Sequence, residues 1–194
     1  MAGPIKKLNG TKVVLGVSGG IAAYKAVELA SRMTAAGAQV RTVMTENALR
    51  LVGAKSFEAV TGQPVYTSIW ESSEDFKIGH ISLADWADVV VVAPATANII
   101  GKTANGICDD LLSTVLCACW ARRVVFAPAM NERMWTNPAV QKNIKLISRM
   151  GAELIGPLKG RLACGEEGVG RMAEPQEIIE AIEKTASKIK RRKR

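Results

Sequence analysis

Two kinds of hydrophobic run alternate along this 194-residue chain, and that alternation limits its fold more than any other feature. Short, nearly continuous, β-branched runs are the first kind: Lys12–Val17 (KVVLGV), Val40–Met44, Asp88–Ala93 (DVVVVA) and Arg123–Ala127 (RVVFA). Such runs match strands buried on both faces. The second kind has helical spacing. Ile21–Ala36 carries a stripe of Ala22, Ala26, Leu29, Ala30 and Met33, closed by Gly37. Further helices are expected over Ser56–Thr61, His80–Trp86, Ala97–Thr103, Asp109–Trp120 and Asn137–Met150, with a break at Asn105-Gly106. Thr45-Glu46-Asn47 can cap another. Pro64–Tyr66 reads as an edge segment, Glu153–Ile155 as a last strand, and 71–79 as a mobile polar loop. Gly156–Ala173 reads as irregular. Pro175 opens a final helix whose face is Ile178, Ile179, Ile182, Ala186 and Ile189.

Strand–helix alternation of this kind predicts an α/β domain of three layers, Rossmann-like (flavodoxin-like), around a parallel sheet. Residues 1–187 are expected to form one domain. The formal net charge of +8 invites a polyanion partner, but six of those charges sit in residues 188–194, expected to be a disordered tail. The domain itself is nearly balanced, so no nucleic-acid partner is expected. No apolar run reaches the length of a membrane span and no signal core opens the chain, so a cytoplasmic protein is expected. Four cysteines make no disulfide framework in a chain this long, and with a single histidine a Cys/His zinc site would need unusual ligands, so no metal is expected.

Three loops follow strands, where ligands of such sheets bind. Ser18-Gly19-Gly20-Ile21-Ala22 is either a tight turn or a backbone cradle for a phosphate. Its glycines lack dinucleotide-fingerprint spacing, which argues against an NAD enzyme using Glu46 on a ribose. Ala93-Pro94-Ala95-Thr96-Ala97-Asn98 places a strand-ending proline before a hydroxyl and an amide, which serve as a helix cap or hold a ligand. Ala127-Pro128-Ala129-Met130-Asn131-Glu132-Arg133-Met134-Trp135 offers one amide beside an apolar wall. His80 could be structural or transfer protons near neutrality. Cys108, Cys117 and Cys119 read as packing residues. Cys164, in a glycine-rich charged segment, suits an accessible reactive thiol.

In this order, SGGIA, APATAN, ANGICDDLL, PAMNERMW and LACGEEGVGR resemble the homo-oligomeric flavin-containing cysteine decarboxylases. The resemblance runs from about Lys12 to Ala173 and is nearest to the branch acting on 4′-phosphopantothenoyl-L-cysteine. It implies FMN as cofactor, a homotrimer or a dodecamer of trimers, and formation of 4′-phosphopantetheine in coenzyme A synthesis. It also implies a thioaldehyde and then an ene-thiol as intermediates. Carried over by motif position, Ser18, Gly19, Gly20, Thr45, Asn47, Thr96, Ala97, Asn98 and Ala129 would contact FMN. His80 would be catalytic and Cys164 the proton donor. Asn131 would bind the substrate carboxylate, and Arg161, Leu162 and Ala163 would clamp the substrate. Ile99 stands where the family often has threonine, which removes one hydroxyl. The competing readings are a decarboxylase of a peptide C-terminal cysteine, a non-catalytic FMN-binding module, and a flavin prenyltransferase. PAMNERMW and the Cys164 segment argue against the last.

Overall fold

The computed structural model describes residues 8–70, 79–119 and 123–192, with only the helical backbone for 188–192. Six parallel strands form one sheet: β1 (Lys12–Val17), β2 (Gln39–Met44), β3 (Val65–Tyr66), β4 (Val89–Ala95), β5 (Val124–Pro128) and β6 (Glu153–Leu154). Their order is β3-β2-β1-β4-β5-β6, so the winding reverses between β1 and β4. That reversal opens a crevice at the carboxyl ends of the two central strands.

The strands are apolar in unbroken runs because both faces are covered. In β1, Val13, Leu15 and Val17 join one core cluster, with α1 (Ala23–Ala35), α3 (Ala54–Thr61) and α9 (Pro175–Arg192). Val14 faces the other cluster, with α4 (Gly79–Trp86), α5 (Ala97–Asn105), α6 (Leu111–Ala118) and α8 (Pro138–Arg149). Period-two alternation thus becomes two buried layers. Gly16 lets α6 come close: a Cβ there would lie 2.4 Å from Leu112 Cδ1. Two short helices complete the set, α2 (Glu46–Leu49) and α7 (Glu132–Trp135).

Four expectations change. Pro94 does not stop β4, which runs on to Ala95 past a register irregularity between Val92 and Ala95. The segment 156–173 is not irregular: β7 (Leu158–Arg161) and β8 (Glu167–Arg171) pair as an antiparallel hairpin. Gly160, Gly168 and Gly170 belong to the strands. Cys108 and Cys117 are exposed, so of the three cysteines read as packing residues only Cys119 is buried. The expected tail boundary at residue 188 falls inside α9, whose backbone continues through Arg192. The polar segment read as a loop over 71–79 lies outside the described residues, apart from Gly79, which begins α4.

Candidate active site

The loops after β1 and β4 leave the sheet side by side, and Ser18 ties them together. Its buried hydroxyl donates to the Pro94 carbonyl at 2.7 Å and accepts from the Thr96 amide at 3.1 Å. Thr96 Oγ1 lies 3.1 Å away and also accepts the Ile99 amide, capping α5. Gly19 and Gly20 let the third loop close in. A Cβ on Gly19 would lie 2.4 Å from Cβ of Asn47, and one on Gly20 3.2 Å from Cγ2 of Thr96. Thr45 accepts the Ala48 amide as the cap of α2, leaving Asn47 exposed beside these glycines. Helix α1 starts with no side-chain cap, an arrangement that leaves first-turn amides for an anion.

The opposite wall is built where β5 ends. The Ala129 amide donates to Ala95 O at 3.1 Å, and the Met130 amide to Gly170 O at 3.0 Å. Asn131 caps α7 by accepting the Arg133 amide on Oδ1 at 2.8 Å. Its amide nitrogen is therefore left to point elsewhere, and it lies 3.4 Å from Cys164 Sγ. Cys164 sits at the hairpin tip, in a turn closed by Gly165 N–H to Leu162 O at 2.9 Å. Gly165 has φ +89°, a conformation that glycine adopts without strain. Cys164 Sγ is also 3.8 Å from Glu166 Oε2.

Between these walls lies a cavity of about 1020 Å³, at the upper end of the range for small-molecule sites. Every residue expected to contact FMN lines it, as do Asn131, Arg161, Leu162, Ala163 and Cys164. His80 does not. It lies on α4, which packs against α6 within the second core layer, so one chain does not bring it to the cavity.

Sequence reasoning passed over Lys25 and the group of Lys102, Asp109 and Asp110 on the cavity wall. Lys102 bridges Asp109 at 2.6 Å and Asp110 at 2.7 Å. Burial works to lower the Lys102 pKa, but the hydrogen bonds to the two aspartates more than offset it, and the net direction is up. The same hydrogen bond holds Asp109 below the usual carboxylate range, against a smaller desolvation effect. Lys25, three residues past the cap of α1, meets Glu174 at 3.6 Å, and Arg171 meets Glu174 at 3.3 Å. The spacing of Lys102 from Asp109-Asp110 in KTANGICDD was the available signal, since Gly106 folds α5 back at φ +67°. Nothing local in the sequence marked Lys25.

A profile of the family described as Flavoprotein matches residues 3–187. The bifunctional coenzyme A biosynthesis protein CoaBC of Bacillus subtilis is 49% identical over 177 residues, covering 91% of this chain and 43% of that protein. CoaBC of Escherichia coli is 44% identical over 173 residues, covering 89% and 42%. The chain thus spans less than half the length of these curated relatives. Among solved structures, a cysteine-to-serine mutant of PPC decarboxylase complexed with pantothenoylaminoethenethiol is 37% identical, with TM-score 0.79. That likeness covers 90% of this chain and 97% of the other. The FMN-dependent cysteine decarboxylase SpaF is 33% identical with TM-score 0.79, over 93% and 99%. With the fold, the glycine cradle and the profile in agreement over nearly the whole chain, the protein belongs to the Flavoprotein family.

Proposed function

We propose that this chain decarboxylates 4′-phosphopantothenoyl-L-cysteine to 4′-phosphopantetheine with FMN bound in the cavity, a step of coenzyme A synthesis. The observation that carries this reading is the pairing of Asn131 and Cys164 across 3.4 Å, on the wall opposite the glycine cradle. Cradle and cavity suit FMN. Gly19 and Gly20 let the loops carrying Asn47 and Thr96 close against the turn, and uncapped α1 offers amides to a phosphate. Thr45, Asn47, Thr96, Ala97, Asn98 and Ala129 would flank the ring and ribityl chain. Ser18, buried and engaged with both neighbouring loops, serves chiefly to hold their backbones in place.

When bound, the flavin supplies a two-electron acceptor and donor, so carbon dioxide leaves from an oxidised substrate that can delocalise the electron pair. The chain's own residues orient and protonate. The neutral Asn131 amide holds the substrate carboxylate without the strong ground-state attraction a cation would add. Arg161, Leu162 and Ala163 cover the substrate from the hairpin. Cys164 Sγ delivers a proton as the ene-thiol is reduced to the thiol product. The likeness to a cysteine-to-serine PPC decarboxylase holding an aminoethenethiol supports that role. Lys25 places a cation on the wall for the substrate phosphate. His80 enters from a neighbouring copy in the expected trimer, which would explain its place on α4.

Anaerobic incubation with phosphopantothenoylcysteine tests the reading. The expected result is release of carbon dioxide with phosphopantetheine as product. Without oxygen, Cys164→Ser should release about one carbon dioxide per flavin and stop at the ene-thiol with the flavin reduced, and an unchanged yield of phosphopantetheine would remove Cys164 from the proposal. A second reading, decarboxylation of a peptide C-terminal cysteine, draws on the similarity to SpaF. Turnover of a cysteine-ended peptide in preference to phosphopantothenoylcysteine would favour it.

A further inference from the structure

We propose that Glu132 is a positioning residue that sets the height of Cys164 over the substrate, an inference resting on the decarboxylase reading above. Among the described residues the hairpin carrying Cys164 pairs only with itself, so the outward edge of β8 has backbone groups to satisfy. Glu132 supplies the missing partner: its Oε1 accepts the Val169 amide at 2.9 Å. Gly168 makes room for that carboxylate, since a Cβ there would lie 2.6 Å from Oε2. Two residues on, a Cβ at Gly170 would lie 2.0 Å from Met130 O, and Met130 N–H binds Gly170 O at 3.0 Å. Met130 and Glu132 thus grip β8 on either side of Asn131, the residue facing Cys164.

Register then does the positioning. Gly160 pairs with Gly168 and Arg161 with Glu167, so fixing residues 168–170 fixes the tip at 162–165. A further side-chain tie, Arg133 to Glu166 at 3.8 Å, joins two exposed groups and is too weak to set it. A carboxylate bound to a backbone amide is the stronger, better-aimed anchor.

The test compares Glu132→Ala, Glu132→Gln and Gly168→Ala in the holoenzyme with phosphopantothenoylcysteine. Glutamine keeps the acceptor oxygen and should behave like wild type. Assayed in air, where dioxygen reoxidises the flavin that each escaping ene-thiol leaves reduced, alanine should leave carbon dioxide release within about threefold while product formation falls roughly tenfold or more, the difference leaving as ene-thiol. Gly168→Ala, which pushes the carboxylate away, should shift products the same way. The double variant should be no worse than Glu132→Ala alone. In flavin-free protein, the Val169 amide should exchange faster in Glu132→Ala but not in Glu132→Gln. Unchanged product partition in Glu132→Ala, or equal damage from glutamine and alanine, overturns the proposal. Absence of carbon dioxide from wild type would instead overturn the decarboxylase reading, and Val169 exchange would still decide the anchor.

Discussion

Single atoms decide much of this site. Ser18 Oγ is the clearest case, because one hydroxyl satisfies a carbonyl from the loop after β4 and an amide from the helix that follows. Ser18→Ala should strand both, at a cost of about 1–3 kcal/mol, and weaken flavin retention several-fold. Denaturant midpoints and flavin titration would measure the two effects. Cys119 makes a second residue-scale prediction. Burial, with Asp85 adding and Arg123 opposing, pushes its thiol up to about 11 from an ordinary 9.0. A thiol held neutral when folded but free to ionise when unfolded favours unfolding as pH rises. Its contribution is complete below about pH 9 and is lost toward pH 11. Replacing it with alanine should flatten the fall in stability over that window, by on the order of 2 kcal/mol. Parallel pH series of chemical denaturation would show a shared slope if the idea is wrong.

Among the elements, the hairpin departs furthest from what its residues suggest. Glycines at 160, 165, 168 and 170 read as an irregular loop because glycine weakens isolated strands. In the fold, Gly168 and Gly170 are buried because the backbone of β8 presses on Met130 and Glu132. Only the partner wall, 37 residues away along the chain from Val169 to Glu132, makes strand the better state. Gly170→Ala should therefore unseat the hairpin while leaving the sheet intact. Product formation should drop at least tenfold, with flavin content near wild type, as absorbance and product analysis would record. The buried parallel strands were readable for the opposite reason. Their β-branched runs state burial on both faces directly, so β1, β2, β4 and β5 fall within two residues of their expected ends. One proline misled at those ends. Pro128 closes β5 as expected, but β4 runs one residue past Pro94 to Ala95, since the last residues of a strand at a crevice need fewer ladder bonds.

At the scale of the molecule, the expected cofactor and clamp residues converge on one cavity, and His80 stands apart. Motif resemblance carries which residues act, but chain-internal pattern says nothing about which copy supplies them. Two variants that are each deficient in phosphopantetheine formation, His80→Asn and Cys164→Ser, should recover a measurable share of it when co-expressed and co-purified. Recovery no greater than the sum of the separate proteins would place His80 and Cys164 in the same copy's site or remove His80 from the reaction. The cations of the cavity wall have a last consequence. Lys25, Lys102 and Arg171 each already sit against a carboxylate, and among the described residues no ion pair is recorded for Arg161. An arriving phosphate must therefore displace Glu174 or the aspartates to engage Lys25, Lys102 or Arg171. Such partner exchange discriminates by shape and denticity, so chloride and other simple ions compete poorly, and occupancy should depend only weakly on ionic strength.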